Sequence, residues 1–143
     1  ISNLLPARVD GRTDDYASAA LADDSRVRVP RAQAETDGPV HIGVRPEKIR
    51  LHKPDADVPG GANRISGRIV DASYLGVSTS YIVEADSGAR LTVYEQNVER
   101  TVHGSLHRPG EPVQLSWSPD HTFVVRDQPA TTPSPSVPAA GAA

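Results

Sequence analysis

Apolar residues along this chain alternate with polar ones in short runs, as in Arg26-Val27-Arg28-Val29 and Thr79-Ser80-Tyr81-Ile82-Val83. No window keeps an apolar residue at every third or fourth position over the length of a helix. A period of two gives each run one face to bury and one to hydrate, which is the pattern of a half-buried strand. Strands are predicted at Leu4–Val9, Tyr16–Leu21, Arg26–Val29, Val40–Val44, Ile49–His52, Arg64–Tyr74, Thr79–Ala85, Arg90–Tyr94, Val113–Trp117 and Thr122–Val125. Between them lie the turn formers Asp10-Gly11, Asp23-Asp24-Ser25, Pro59-Gly60-Gly61 and Ser87-Gly88. Helix is expected to be scarce, and many short strands with this punctuation predict an all-β barrel or sandwich.

An internal repeat refines that expectation. Pro39-Val40-His41-Ile42-Gly43-Val44-Arg45-Pro46-Glu47 matches Pro112-Val113-Gln114-Leu115-Ser116-Trp117-Ser118-Pro119-Asp120 position by position. Upstream, Asn3 with Ala7-Arg8-Val9-Asp10 parallels Asn63 with Gly67-Arg68-Ile69-Val70-Asp71, Tyr16 parallels Tyr81, and Val27/Val29 parallel Leu91/Val93. The halves run from about 1 to 55 and from 63 to 127. Units this small rarely bury their own faces, so they are expected to share strands or to pack together as one body over residues 1–127.

Composition limits what such a body does. Hydrophobic residues make up 37% of the 143 residues, which predicts a thin core. Residues 128–143 hold Pro129, Pro133, Pro135 and Pro138 among Ala, Ser and Thr with no charge and no aromatic, and are expected to be a disordered tail. The net charge of -3 argues against a nucleic-acid partner, which a basic face would serve. There is no Cys, so disulfides, thiolate metal sites and thiol catalysis are excluded. There is also no Met, and the chain is read as a piece of a longer protein. No run approaches the ~18 apolar residues of a membrane-spanning helix.

Candidate chemistry is sparse. His103 and His107 have the spacing of a helical metal pair, but Gly104 and Pro109-Gly110 argue against a helix there, and no third ligand is adjacent. Asp14-Asp15 and Asp23-Asp24 sit in turns, where carboxylates serve the backbone, so no catalytic residue is assigned. Gly43-Val44-Arg45-Pro46-Glu47-Lys48 is no phosphate loop, since Pro46 lacks an amide and the second Gly is missing. The Arg45-Pro46-Glu47 box reads instead as structure. Pro46 and Pro119 end strands, while Glu47 and Asp120 are placed to accept from turn amides. Arg45 is expected to pair with a carboxylate, the competing reading being an anion-recognition fork. Trp117 is expected in the core, with an interface role as the alternative.

The run Ile42-Gly43-Val44-Arg45-Pro46-Glu47-Lys48-Ile49-Arg50-Leu51, the Tyr74-Leu75-Gly76 segment, the Gln96-Asn97 pair and Gly110 through Trp117-Ser118-Pro119 resemble the C-terminal TOBE domain of ABC-transporter ATPases, most closely those of the spermidine/putrescine type. The resemblance runs in order from about Ile1 to Val125. It implies an accessory domain of small OB-like β-barrels that follows an ATPase domain, helps two ATPase subunits pair and offers a place for a regulator or ligand. It makes Arg45, Pro46, Glu47, Tyr74, Gly76, Gln96, Asn97, Trp117 and Pro119 family-motif residues with mainly structural roles. No cofactor is expected in this fragment, whereas ATP and Mg would belong to the parent's upstream domain. The implied partners are its own ATPase domain, a second ATPase subunit and the transporter's membrane subunits, on the cytoplasmic face of the cell membrane. The isolated fragment is expected to be a monomer or weak dimer, because few large apolar residues fall outside the buried strand positions. The other reading is an independent OB-type binding module for nucleic acid or a small anion.

Overall fold

In the computed structural model, which describes residues 2–96 and 107–126, ten strands form among the described residues: β1 (Asn3–Arg12), β2 (Tyr16–Ala20), β3 (Arg26–Pro30), β4 (Gly38–Val44), β5 (Arg50–His52), β6 (Asn63–Leu75), β7 (Ser78–Ala85), β8 (Arg90–Gln96), β9 (Pro112–Trp117) and β10 (Thr122–Val125). Each falls where the alternation places it. The helical content of the described residues is three short 3-10 turns, Arg31–Gln33, Pro46–Lys48 and Pro119–His121. Two of these follow directly on the repeated strands β4 and β9. Proline at the first position of each starts the turn because its missing amide has no ladder partner to lose.

The strands assemble into two five-stranded antiparallel sheets, in the orders β10-β4-β1-β2-β3 and β5-β9-β6-β7-β8. Each sheet curls until its edge strands approach, β10 toward β3 and β5 toward β8, giving two OB-like half-barrels. The two halves of the sequence exchange their last strands: β5 pairs with β9 in the second sheet, and β10 pairs with β4 in the first. The core is built from the inward members of the alternation, including Val27, Val29, Ile42, Val44, Ile69, Val83, Leu91 and Leu115, all 2% exposed or less.

Both halves carry the same irregularity. A bulge interrupts the β1–β2 pairing between Val9 and Gly11, and another interrupts β6–β7 between Ile69 and Asp71. The bulges sharpen the local twist and let long hairpins curl. The register that follows pairs Arg12 with Ala17 and Ala72 with Tyr81, so Tyr81 corresponds to Ala17 and Tyr16 to Ser80. The expected equivalence of Tyr16 with Tyr81 is therefore off by one residue. In a strand one step reverses the face: Tyr81 is fully buried, whereas Tyr16 faces a surface cleft.

Prolines within strands sit where one side of the ladder is open. Pro6 lies in the stretch of β1 that pairs with β4 but not with β2, and Pro39 in the stretch of β4 beyond the reach of β10. Gly43 is required by a close approach, since a Cβ there would collide with the ring of Phe123 across the β4–β10 pair.

Candidate functional site

The two sheets are joined by a pair of equivalent asparagines. Asn3, at the start of β1, donates from Nδ2 to the Thr92 carbonyl and accepts at Oδ1 from the Thr92 amide, both at 2.8 Å. Asn63, at the start of β6, donates to the Arg28 carbonyl at 2.9 Å and accepts from the Arg28 amide at 2.8 Å. Arg28 lies on β3 and Thr92 on β8, each an edge strand of the opposite sheet. A side-chain amide carries one donor and one acceptor on a planar group, so it imitates a neighbouring strand and seals the open edge. The sequence repeat aligns these two asparagines, but nothing in their spacing names their partners.

The repeated turns pack against the same junction, Pro46–Lys48 on β8 and Pro119–His121 on β3. Pro46 and Pro119 are both buried. Trp117 is 2% exposed, and its indole N–H donates to Thr122 Oγ1 at 2.9 Å. The acidic partners of the prolines behave differently from expectation. It is the Ser118 hydroxyl that accepts from the Asp120 amide, at 3.2 Å, while the Asp120 carboxylate reaches across and accepts from the Tyr16 hydroxyl at 2.9 Å. Glu47 makes no side-chain hydrogen bond and Arg45 no ion pair among the described residues. Both are exposed at the end of β4 because the proline turn directs them outward.

The other motif residues lie elsewhere. Tyr74 and Gly76 belong to the tip of the β6–β7 hairpin, where Gly76 takes φ 76 to reverse the chain and Tyr74 is 56% exposed. Gln96 ends β8 opposite Ser78. Asn97, His103 and the tail 128–143 lie outside the described residues. His107 is buried edge-on against Tyr81, ring centroids 5.7 Å apart. Among the described residues no group of three or more His, Asp or Glu side chains gathers as a metal site.

A cleft of about 570 Å³ opens between the repeated turns, lined by Glu47, Lys48, Arg50, Trp117, Ser118 and Pro119 together with Tyr16 and the Pro59–Ala62 loop. Beyond Tyr16 a second recess of about 690 Å³ continues over β1–β3. There Asp10 receives both N–H groups of Arg26, at 2.6 and 2.9 Å. That hydrogen bonding holds the Asp10 carboxyl below its ordinary 3.8, with the Arg26 charge adding to it and partial desolvation opposing it. The Tyr16 hydroxyl is shifted upward because it donates to Asp120, with desolvation and the Asp120 charge in the same direction.

A depressed carboxyl value stabilises the fold above the unfolded-state value and ceases to do so as pH falls through the folded one. Asp10→Asn is therefore expected to be less stable than the parent above about pH 5 and equal to it below the folded Asp10 value. Urea titrations at pH 6 and over a descending pH series check that the difference shrinks as pH falls. A difference independent of pH would mean that the Arg26 pair contributes nothing.

Curled five-stranded sheets related by an internal repeat, sealed by asparagine clamps and free of any phosphate loop, define a paired OB-type β domain. The chain belongs to the TOBE domain family, whose model matches residues 42–125. It is similar to the spermidine/putrescine import ATP-binding protein PotA of Frankia alni, 37% identical over 117 residues that cover 82% of this chain and 23% of that protein. PotA of Thermobifida fusca is 34% identical over 126 residues, 87% of this chain and 31% of that protein. The match is to the C-terminal TOBE region of these relatives and not to their ATPase domain, so the chain spans less than a third of their length. Among solved structures the fold resembles the cytoplasmic molybdate-binding protein ModG in its molybdate-bound form, with TM-score 0.73 and 11% identity over 87% of this chain and 96% of that one. Among the described residues no helix is long and apolar enough to cross a membrane.

Proposed function

We propose that this chain is the C-terminal accessory domain of the ATP-binding subunit of a polyamine importer, and that it promotes pairing of two such subunits. The observation that carries this reading is the similarity to PotA proteins across more than four-fifths of the chain, in the order of the sheet-forming repeat. The domain itself does no phosphoryl chemistry; ATP and Mg bind the preceding domain, at the cytoplasmic face, where membrane subunits dock. Alone, the chain is a monomer or weak dimer. Joined to an ATPase domain, it adds to pairing through high effective concentration.

The test uses the full-length subunit. Removing residues 2–126 is expected to weaken ATP-dependent dimerisation in sedimentation and to lower spermidine and putrescine uptake into proteoliposomes. Unchanged dimerisation would overturn the pairing role. Uptake of neither polyamine by the intact transporter would overturn the cargo.

A further inference from the structure

The second recess described above differs from its counterpart in the other half of the molecule. With the bulges and asparagine clamps as fixed points, Arg12, Arg28 and Arg64 stand where the other half has Ala72, Thr92 and Leu4. Only Arg26 keeps a cationic equivalent, Arg90. One repeat therefore presents four arginines where the other presents one, on a chain whose net charge is -3. The cleft between the turns adjoins this recess through Tyr16 and Ala62, which line both, and it adds Lys48 and Arg50. Along the joined groove these six cations face two lining carboxylates, Asp10 and Glu47. Asp37 pairs with Arg12, Asp120 holds Tyr16, and Asp15 and Asp24 act on Tyr16 and Arg26, so the cations left without a carboxylate of their own are Arg28, Arg64 and Lys48.

The cations are not all spent on the fold. The Arg28 guanidinium is held over the Tyr16 ring, 5.1 Å from its centroid, and donates to the Gly61 carbonyl, which uses one of its five N–H groups. Arg64 and Lys48 form no side-chain hydrogen bond or ion pair among the described residues. A planar guanidinium fork matches two oxygens of a phosphoryl group, and such charge-assisted bonds are the strong ones. Clustering unpaired cations costs free energy that a bound anion relieves. Arg28 and Arg64 line one lobe and Lys48 the other, so a ligand that meets all three is an elongated one.

We infer that the groove running from Arg26 past Tyr16 to Lys48 binds a small ligand carrying several linked phosphoryl groups. This goes beyond the importer reading and does not depend on it, because binding is measured on the chain alone. Titration calorimetry with inorganic tripolyphosphate at physiological salt is expected to show saturable binding that weakens as salt is raised. Arg64→Glu and Lys48→Glu, both exposed and without partners to lose, are each expected to weaken it about tenfold or more, with unchanged thermal melts. Arg90→Glu, at the place equivalent to Arg26 on the other face, is expected to leave it within about twofold. Absence of heat up to millimolar tripolyphosphate overturns the site, as does an equal loss in Arg90→Glu. Orthophosphate binding as tightly as tripolyphosphate overturns the requirement for linked phosphoryl groups.

Discussion

Asn63→Ala is expected to lower the unfolding free energy by about 2–4 kcal/mol, because three hydrogen bonds end on that one side chain and two of them satisfy backbone groups. Without it the Arg28 amide and carbonyl, on the outer edge of β3, lose their partners while β6 still shields them from water. Asn63→Asp keeps the acceptor for the Arg28 amide but sets a carboxylate against the Arg28 carbonyl, and is expected to cost a comparable amount. Asn3→Ala removes two bonds and is expected to cost less than Asn63→Ala. Urea denaturation at neutral pH measures all three. A loss under about 0.5 kcal/mol for Asn63→Ala would place that clamp among dispensable surface contacts.

The strands were legible because each buries one face. In Arg26–Pro30 or Tyr16–Ala20 the period of two is a direct record of inside and outside. The repeat was legible because Pro46 and Pro119 mark the same mechanical event, the end of a ladder followed by a 3-10 turn. What the sequence left open was pairing. Nothing local in Arg50-Leu51-His52 says that these residues pair with Gln114–Ser116 rather than with a strand of their own half, since alternation records which face is buried and not which strand lies alongside. The same holds for the candidate groove. Arg12, Arg28 and Arg64 are scattered over the chain among acids that balance them in any composition count, and only the meeting of β1–β3 with the start of β6 brings them to one recess, with Lys48 in the adjoining cleft. Glu47 and Asp120 show a finer limit: the repeat aligns them, but Asp120 finds Tyr16 and Glu47 finds no equivalent hydroxyl. The feature that most resembled a recognition motif, Arg45-Pro46-Glu47, proves to be a turn with its charges in solvent, while a pair of asparagines that resembled nothing joins the sheets.

Trp117→Ala is expected to be the most destabilising single change, at about 3–5 kcal/mol, the range for truncating a large buried aromatic. The residue is 2% exposed and closes the end of β9 against the start of β6, opposite Asn63. Its indole N–H donates to Thr122 Oγ1, which also receives the Asn63 amide at 3.3 Å and in turn donates to the Ser118 carbonyl at 3.3 Å. Thr122 thus ties the aromatic core of the second sheet to the asparagine that clasps the first. Trp117→Phe keeps most of the apolar area but leaves the Thr122 hydroxyl without its donor, and is expected to cost about 1–2 kcal/mol. Because Trp117 and Asn63 share Thr122, their effects should not add. In a double-mutant cycle Asn63→Ala with Trp117→Phe is expected to show a coupling above about 0.5 kcal/mol. Additivity within about 0.3 kcal/mol would mean that the two side chains act independently and that Thr122 does not couple them.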